Sequence, residues 1–290
     1  MKWFGYALTA FCFAQTAVGA TIERTIDAAP NGKVEIVNVA GTVEVSGWDR
    51  PQVALVAQTD ARVDDVVFAR HGDRVEIRVK STSGRDAGEA SLKVRVPQRS
   101  DVLINTVSAS QTIEGVQGEQ DLQSVSGNIR TQIAQEDLQA RSVSGSVEVR
   151  GSGPTSVRVT TVNGTIQIKD VGGEVDLSNV TGSMRVEGGS YERARLKTTN
   201  GDIRFNSALE QRARVEAEAI NGTIRMDLRE PVDAEFDIET FNGLIHNCFG
   251  PKPRRTNDFA PGSALRFKEG NGSARVRLKT LNGTIDLCKK

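Results

Sequence analysis

From about residue 120 onward the sequence repeats one short pattern of apolar and polar positions. In each copy, apolar residues occupy alternate positions on both sides of a polar residue and a glycine, as in Val157, Val159, Gly164, Ile166 and Ile168. Side chains that alternate in this way are typical of β-strands with one buried face. Each copy therefore predicts two short strands that meet at the glycine.

The glycine recurs at a nearly fixed interval, which indicates a repeat architecture. The eight clear copies have Gly127, Gly145, Gly164, Gly182, Gly201, Gly222, Gly243 and Gly283. The intervals are 18, 19, 18, 19, 21, 21 and 40 residues, and a period near 20 indicates one supersecondary unit repeated many times. Two arrangements fit: an antiparallel meander or propeller, where the motif turns a hairpin, and a parallel β-solenoid, where it is a corner.

Two cysteines favour the solenoid. Cys248 and Cys288 both lie five residues after the glycine of their copies. Equivalent residues are about 9.5 Å apart in a meander but about 4.8 Å apart in stacked units, and a disulfide requires roughly 4.4–6.8 Å between Cα atoms. The 40-residue interval must then contain one unit and an insertion, which we assign to residues 249–270 because three prolines interrupt the pattern there.

Polar positions of the repeat also agree with stacking. The residue before the glycine is Asn, Ser or Thr in all eight copies, and a Ser, Thr or Asn also occurs two residues earlier in most of them. Identical polar residues in stacked strands form ladders of side-chain hydrogen bonds. Six residues before the glycine, Asp176, Arg195 and Glu216 alternate in charge, which we interpret as a solvated face that avoids stacking like charges.

We therefore predict an all-β protein, a right-handed parallel β-helix (β-solenoid) with an irregular N-terminal β cap. The cap covers residues 21–100, and about nine or ten rungs, each stacked on the one before it in the chain, cover residues 101–290. A rung is one repeat unit, that is, two strands and the corner between them. Caps are expected because the end rungs of a solenoid expose strand edges.

The first twenty residues predict a secretory signal peptide. Lys2 precedes an apolar run, and the segment ends in the small residues Val18, Gly19 and Ala20. Cleavage after Ala20 leaves two cysteines in an exported chain, which favours a disulfide between them. The mature chain contains no apolar run long enough for a transmembrane helix. We expect a periplasmic or extracellular protein of the cell envelope.

Composition and motifs give little sign of catalysis or of nucleic-acid binding. The chain has 37 basic and 37 acidic residues, so no net charge steers it toward nucleic acid. His71 and His246 lie in unrelated contexts and predict neither a metal site nor a catalytic triad. No phosphate-binding glycine loop precedes a helix. We expect no catalytic residues, no metal and no cofactor.

One surface feature suggests a ligand. Three residues after the glycine, Arg185, Arg204 and Arg225 occur in consecutive copies. Stacking would align them as a basic stripe for anionic glycans or lipid head groups. Lys252, Arg254 and Arg255 of the insertion would join the stripe if the insertion folds back.

The sequence resembles the DUF4097 family of exported bacterial proteins, described as putative adhesins. The resemblance rests on the [STN]-G-x-[IV]-x-[VLIF] corners and on three flanking segments: NGKVEIVNVAGTVEVSGWDRPQV at 31–53, SLKVRVPQRSDVLI at 91–104 and GNGSARVRLKTLNGTIDL at 270–287. It spans roughly residues 31–288. It implies a β-solenoid of the cell envelope and supplies no catalytic residues.

These observations favour a non-enzymatic adhesin or binding scaffold that presents a repetitive surface to an envelope polysaccharide or another envelope protein. Two alternatives remain open. One is an accessory or sensor protein in envelope-stress signalling, and the other is a β-helix enzyme that degrades polysaccharides. The enzyme would need two carboxylates about 5–9.5 Å apart in a cleft, whereas the acids of this repeat alternate with arginine.

Overall fold

The computed structural model describes residues 19–81, 88–256 and 261–290, which form twenty-five β-strands. Residues 1–18, which contain most of the predicted signal peptide, lie outside the described residues. The first strands are β1 (Ala20–Asp27), β2 (Lys33–Asn38), β3 (Ala40–Trp48), β4 (Gln52–Thr59), β5 (Val63–His71), β6 (Arg74–Ser81), β7 (Glu89–Pro97), β8 (Asp101–Thr106), β9 (Ser110–Glu114), β10 (Gln120–Ser124), β11 (Ile129–Gln132), β12 (Leu138–Ser142) and β13 (Val147–Arg150). The others are β14 (Pro154–Asn163), β15 (Ile166–Lys169), β16 (Gly172–Thr181), β17 (Met184–Asn200), β18 (Ile203–Asn221), β19 (Ile224–Leu228), β20 (Ala234–Asn242), β21 (Ile245–Asn247), β22 (Arg254–Arg255), β23 (Ser263–Glu269), β24 (Ala274–Asn282) and β25 (Ile285–Lys289).

The fold is the predicted β-solenoid, in which each rung gives one strand to each of two parallel sheets. The first sheet contains the strands that precede the corners, and the second sheet contains those that follow them. From β8 to β16 each strand pairs in parallel with its equivalent in the next rung, for example β12 with β14 and β13 with β15. The long strands β17 and β18 each bend from the second sheet of one rung into the first sheet of the next.

The core lies between the two sheets and consists of one thin layer from each. Side chains alternate between buried and exposed along the strands, so that Val157 and Val159 of the first sheet and Ile166 and Ile168 of the second are almost fully buried. Most of these residues are Val, Ile, Leu or Ala, with only a few rings such as Tyr191. Because every rung presents similar side chains at the same height, apolar contact is continuous along the axis.

The corners explain the glycine period. A Cβ atom at Gly201 would overlap the carbonyl oxygen of Gly182 in the rung below, although Gly201 has no positive φ. Close approach of the two backbones, rather than backbone conformation, therefore excludes a side chain at this position. The same overlap with the neighbouring corner occurs in the other seven copies of the motif.

The predicted polar ladders are present, and they differ in kind. At the exposed corner, Asn221 donates to Asn200 at 2.7 Å and Asn282 donates to Asn221 at 2.9 Å. In the buried ladder two residues earlier, only Thr198 donates along the axis to a member of the ladder, Asn179. Other members bond to the corner backbone, as where Ser124, Ser142, Thr240 and Thr280 hold a corner N–H or carbonyl.

The rungs do not all follow chain order, which corrects our prediction that each unit stacks on the previous one. Strand β24 pairs with β18 on one side and with β20 on the other, and β25 likewise lies between β19 and β21. The last rung along the chain is therefore inserted between the two that precede it. The rung of Gly243 becomes the outermost at this end.

A matching exchange occurs at the N-terminal end. Strands β2 and β3 form a rung that pairs with β8 and β9 on one side and with β6 and β7 on the other. The two parallel sheets therefore continue through residues 33–114 without a break near residue 100. Irregularity is confined to β1, β4 and β5, which pair antiparallel beyond these rungs.

The insertion closes the C-terminal end of the core. Strand β23 pairs antiparallel with β20, and β22 pairs with β23, so both extend the first sheet. The rings of Phe249 and Phe267 lie 5.3 and 4.7 Å from the ring of Phe236, the large core residue of the outermost rung. Cys248 and Cys288 are joined by a disulfide between adjacent rungs, with Cα atoms 4.8 Å apart.

Replacing one corner glycine tests the close approach. We expect Gly201→Ala to lower the free energy of unfolding by about 2–3 kcal/mol, because overlap with backbone forces neighbouring corners apart. Gly153→Ala is the matched control, since a Cβ atom there has no neighbour within 4 Å and φ is not positive. Urea unfolding measures both variants, and equal stabilities would contradict the stacked corner.

Removing the disulfide tests the adjacency of the last two rungs. We expect Cys248→Ser with Cys288→Ser to lower the free energy of unfolding by about 2–4 kcal/mol, because the bond closes a 40-residue loop in the unfolded chain. Adding reductant to the parent protein should reproduce the loss. Peptide mapping without reductant should recover the two cysteines in one linked peptide pair, and free thiols at both positions would contradict this register.

Candidate functional site

The outer face of the first sheet carries a ladder of alternating charge that crosses seven strands. In spatial order it is Arg158, Asp176, Arg195, Glu216, Arg277, Asp237 and Arg266. Arg195 lies 3.3 Å from Glu216, and Asp237 lies 2.9 Å from Arg266. The hydrogen bond that Arg266 donates to the carboxylate of Asp237 raises the pKa of Arg266. Every charge in this ladder therefore has opposite charges as its neighbours.

A second ladder, two residues nearer the corner, follows the same rule. Its members in spatial order are Lys197, Glu218, Lys279 and Glu239. Lys197 lies 2.9 Å from Glu218, and Lys279 lies 3.0 Å from Glu239. The hydrogen bond from Lys197 lowers the pKa of Glu218. This ladder leaves no net charge beside the corner.

Alternation depends on the exchanged rungs. If the units stacked in chain order, Glu216 would neighbour Asp237, and Glu218 would neighbour Glu239. Inserting β24 places Arg277 between the first two and the ammonium of Lys279 between the second two. Directly opposed like charges destabilise a sheet, so the charge pattern favours the observed order.

One column of the same face breaks the rule. Eight residues before the glycine, Arg193, Arg214 and Arg275 are direct neighbours on consecutive strands. We call these three the arginine triplet. The exchange of rungs creates it, because in chain order Glu235 would separate Arg214 from Arg275. Three adjacent arginines destabilise the sheet. A destabilising feature of this kind indicates a functional role.

The triplet lies in a groove with a volume of about 1110 Å³. Arg193 is 3.4 Å from Glu174, and Glu235 is 4.0 Å from Lys268, so the ends of the column are neutralised. Within the described residues, Arg214 and Arg275 form no ion pair. Two exposed guanidinium groups thus remain available at the centre of the groove.

The predicted stripe of Arg185, Arg204 and Arg225 lies on the second sheet. The structure places the three on consecutive rungs, with the stack continuing to Asp286. Arg185 lies 3.7 Å from Glu187. A 3.0 Å hydrogen bond to Asp227 holds Arg225 and raises its pKa. Within the described part of the chain only Arg204 of the three is without an ionic partner.

The other candidates of the sequence are dispersed. Arg254 and Arg255 lie in β22, which extends the first sheet, so these two arginines of the insertion do not join the stripe on the second sheet. His71 ends β5 and His246 lies in β21, at opposite ends of the solenoid. No three His, Cys, Asp or Glu side chains converge as metal ligands, and no helix is long and apolar enough to cross a membrane, within residues 19–81, 88–256 and 261–290.

Sequence reasoning missed the triplet for a definite reason. Its position, eight residues before the glycine, reads Glu174, Arg193, Arg214, Glu235 and Arg275 in chain order, which resembles an ordinary mixed surface column. Only the spatial order of the last two rungs reveals three adjacent arginines. The available signal was the like-charge conflict between Glu216 and Asp237, which chain-order stacking would have produced.

Comparison with known proteins shows one family match that covers most of the chain. The family model described as Toastrack DUF4097 matches residues 32–288. No curated protein matches the chain. Solved structures of similar outline include a putative adhesin from Bacteroides fragilis (13% identity, TM-score 0.45, 92% of this chain and 96% of that chain). Another is a putative adhesin from Parabacteroides merdae (11% identity, TM-score 0.41, 92% of this chain and 95% of that chain).

Proposed function

The chain belongs to the Toastrack DUF4097 family, and from this premise we propose that it is a non-enzymatic envelope protein that binds an anionic polymer on its solenoid. The groove of the arginine triplet is the proposed binding site. This is a scaffold function of the adhesin type, in which a rigid repetitive surface holds a ligand and does not transform it.

The observation that carries the proposal is the pair of free guanidinium groups at Arg214 and Arg275. They lie on adjacent strands, about 4.8 Å apart along the axis, in a groove whose other charges are mutually compensated. Arginine forms short, charge-assisted and often bidentate hydrogen bonds to carboxylate, sulfate and phosphate groups. A polymer with regularly spaced acidic groups can place one such group on each arginine.

Export supports an envelope ligand. The first twenty residues have the composition of a signal peptide, and a disulfide between Cys248 and Cys288 suits an oxidising compartment. Acidic polysaccharides and other anionic polymers are abundant ligands in that setting. We accordingly propose that the protein is located in the periplasm or at the cell surface.

The arrangement of acids favours binding over hydrolysis. A glycoside hydrolase needs two carboxylates about 5–9.5 Å apart, one of them with a raised pKa, facing a cleft. In the groove, Glu174, Glu216 and Asp237 are each paired with an arginine within 4 Å. Each of these carboxylates is therefore engaged in an ion pair, and none of the three faces the groove as a free acid or nucleophile.

Two double variants separate this groove from general electrostatics. We expect Arg214→Ser with Arg275→Ser to weaken binding to polygalacturonate, a carboxylated polysaccharide, by about tenfold or more, because both charge-assisted contacts are lost. Arg185→Ser with Arg204→Ser is the matched control on the second sheet, with the same change of charge. Surface-immobilised polymer and titration of each variant measure the affinities, with neutral dextran as the reference ligand.

The binding results distinguish the groove of the arginine triplet from the other candidate sites and from the accessory role. Loss of binding in the control alone would move the site to the predicted stripe of Arg185, Arg204 and Arg225. Equal loss in both would indicate attraction by overall charge. If the parent protein ignores every anionic polymer and captures one envelope protein, the accessory role in envelope-stress signalling replaces the scaffold.

A further inference from the structure

A ridge of exposed apolar side chains runs along the corner of the solenoid. Its members lie two residues before each corner glycine or, in the first rung of the ridge, two residues before Ala109. Its members in spatial order are Val107, Val125, Val143, Val162, Val180, Thr199, Ile220, Leu281 and Phe241. The eight apolar members are 39–56% exposed. With one side chain per rung, the ridge is about 40 Å long, and a contiguous apolar surface of this kind indicates an interaction site.

The ridge is most pronounced toward the C-terminal end. Its first five members are valines, whereas Ile220, Leu281 and Phe241 are larger, and Leu244 beside them is 61% exposed. Beside this part lies a shallow groove of about 600 Å³. The groove separates the ridge from the ladder of Lys197, Glu218, Lys279 and Glu239, so that apolar and charged columns run side by side.

We propose that this end of the ridge binds a second copy of the chain about a two-fold axis perpendicular to the solenoid. An interface of this symmetry needs a surface that complements itself. The ladder meets this condition, because a two-fold axis between the rungs of Glu218 and Lys279 reverses its order from Lys-Glu-Lys-Glu to Glu-Lys-Glu-Lys. Glu218 then faces Lys279 of the second copy, and Lys197 faces Glu239.

The same axis also matches the ridge to itself. Ile220 meets Leu281 of the second copy, which places two aliphatic side chains at the centre. Phe241 meets Thr199, the one small polar member of the ridge, so that the largest side chain enters the lowest point. Aromatic and aliphatic anchors in the middle of an interface with charges at its rim are the usual composition of a stable contact.

The charges beside the ridge favour a second copy of the chain over a membrane as the partner that binds there. The Lys and Glu residues beside the ridge cancel, and the chain carries equal numbers of basic and acidic residues. No local field therefore attracts anionic lipid. On the other side of the ridge, the ladder of Asn200, Asn221, Asn282 and Asn242 bonds along the axis and brings no charge.

Sedimentation velocity of the mature chain tests the contact. We expect a dimer that dissociates on dilution, and we expect Ile220→Asp to raise its dissociation constant by about a hundredfold or more, because a carboxylate would be buried without a partner. Val143→Asp is the matched control, since it makes the same change on the same ridge outside the proposed interface. Circular dichroism and melting curves establish that each variant folds.

A charge-reversal pair tests the register and the two-fold axis. In the Lys279→Glu variant, the new carboxylate repels Glu218 of the second copy. In the Glu218→Lys variant, the new ammonium repels Lys279 of the second copy. Each variant alone should therefore be monomeric. Mixed together they should form a heterodimer, because all four facing positions then carry opposite charges. If a variant were monomeric only because it had misfolded or had lost contacts within its own chain, mixing the two variants would not restore association.

Three results would overturn the proposal. One is a parent chain that stays monomeric at all concentrations, particularly if it sediments with phosphatidylcholine vesicles, which would assign the ridge to lipid. The second is a dimer that survives Ile220→Asp. The third is a mixture of the reversed variants that remains monomeric.

Discussion

The structure depends on the close approach of backbones at the corners. Each glycine of the repeat lies against the carbonyl oxygen of the corresponding corner residue one rung away, with no room for a Cβ atom. This contact fixes the height of a rung at the strand spacing of about 4.8 Å. Because the height is fixed, side chains at equivalent positions are forced into columns. The core, the polar ladders and the charged surface all follow from that alignment.

Because equivalent side chains form columns, the residue that suits each position depends on its neighbours in the adjacent rungs. A charged column is stable when its signs alternate, and both ladders beside the corner alternate over every rung they cover. They do so only because the last rung along the chain is inserted before the penultimate one. The N-terminal end shows the same exchange, with the rung of β2 and β3 inside that of β6 and β7. Both exchanged ends place a regular rung under antiparallel strands, which protect the sheet edges.

Much of this fold is predictable from sequence because the pattern is local. Alternation around Gly164 indicates two strands, and the period of about 20 residues indicates stacking. The shared phase of Cys248 and Cys288 identifies neighbouring rungs. Their order is a different matter, because Cys248 and Cys288 are adjacent in either order and the core residues of all rungs are alike. The deciding information lies in pairs distant along the chain, such as Glu216 with Arg277.

The same limit applies to the binding surfaces. The stripe of Arg185, Arg204 and Arg225 is visible in sequence because its rungs follow chain order. Its ionic partners Glu187 and Asp227 are visible two residues further on, although the sequence does not show how closely each is held. The arginine triplet is invisible in sequence, because Arg275 joins Arg214 only through the exchanged rung. Function on such a fold is therefore assigned by spatial columns rather than by motifs.

The two proposed surfaces have a joint consequence. The arginine triplet and the apolar ridge lie on the same strands, six residues apart, which is about 20 Å along an extended strand. The two-fold axis of the ridge contact sets equivalent columns of the two copies opposite each other, so both triplets lie on the same side of that contact with their order along the solenoid reversed. One polymer chain or two adjacent chains can then contact two triplets at once. Because the second contact is intramolecular, it strengthens binding without any new residue, and a groove of modest affinity would suffice for the proposed anionic polymer.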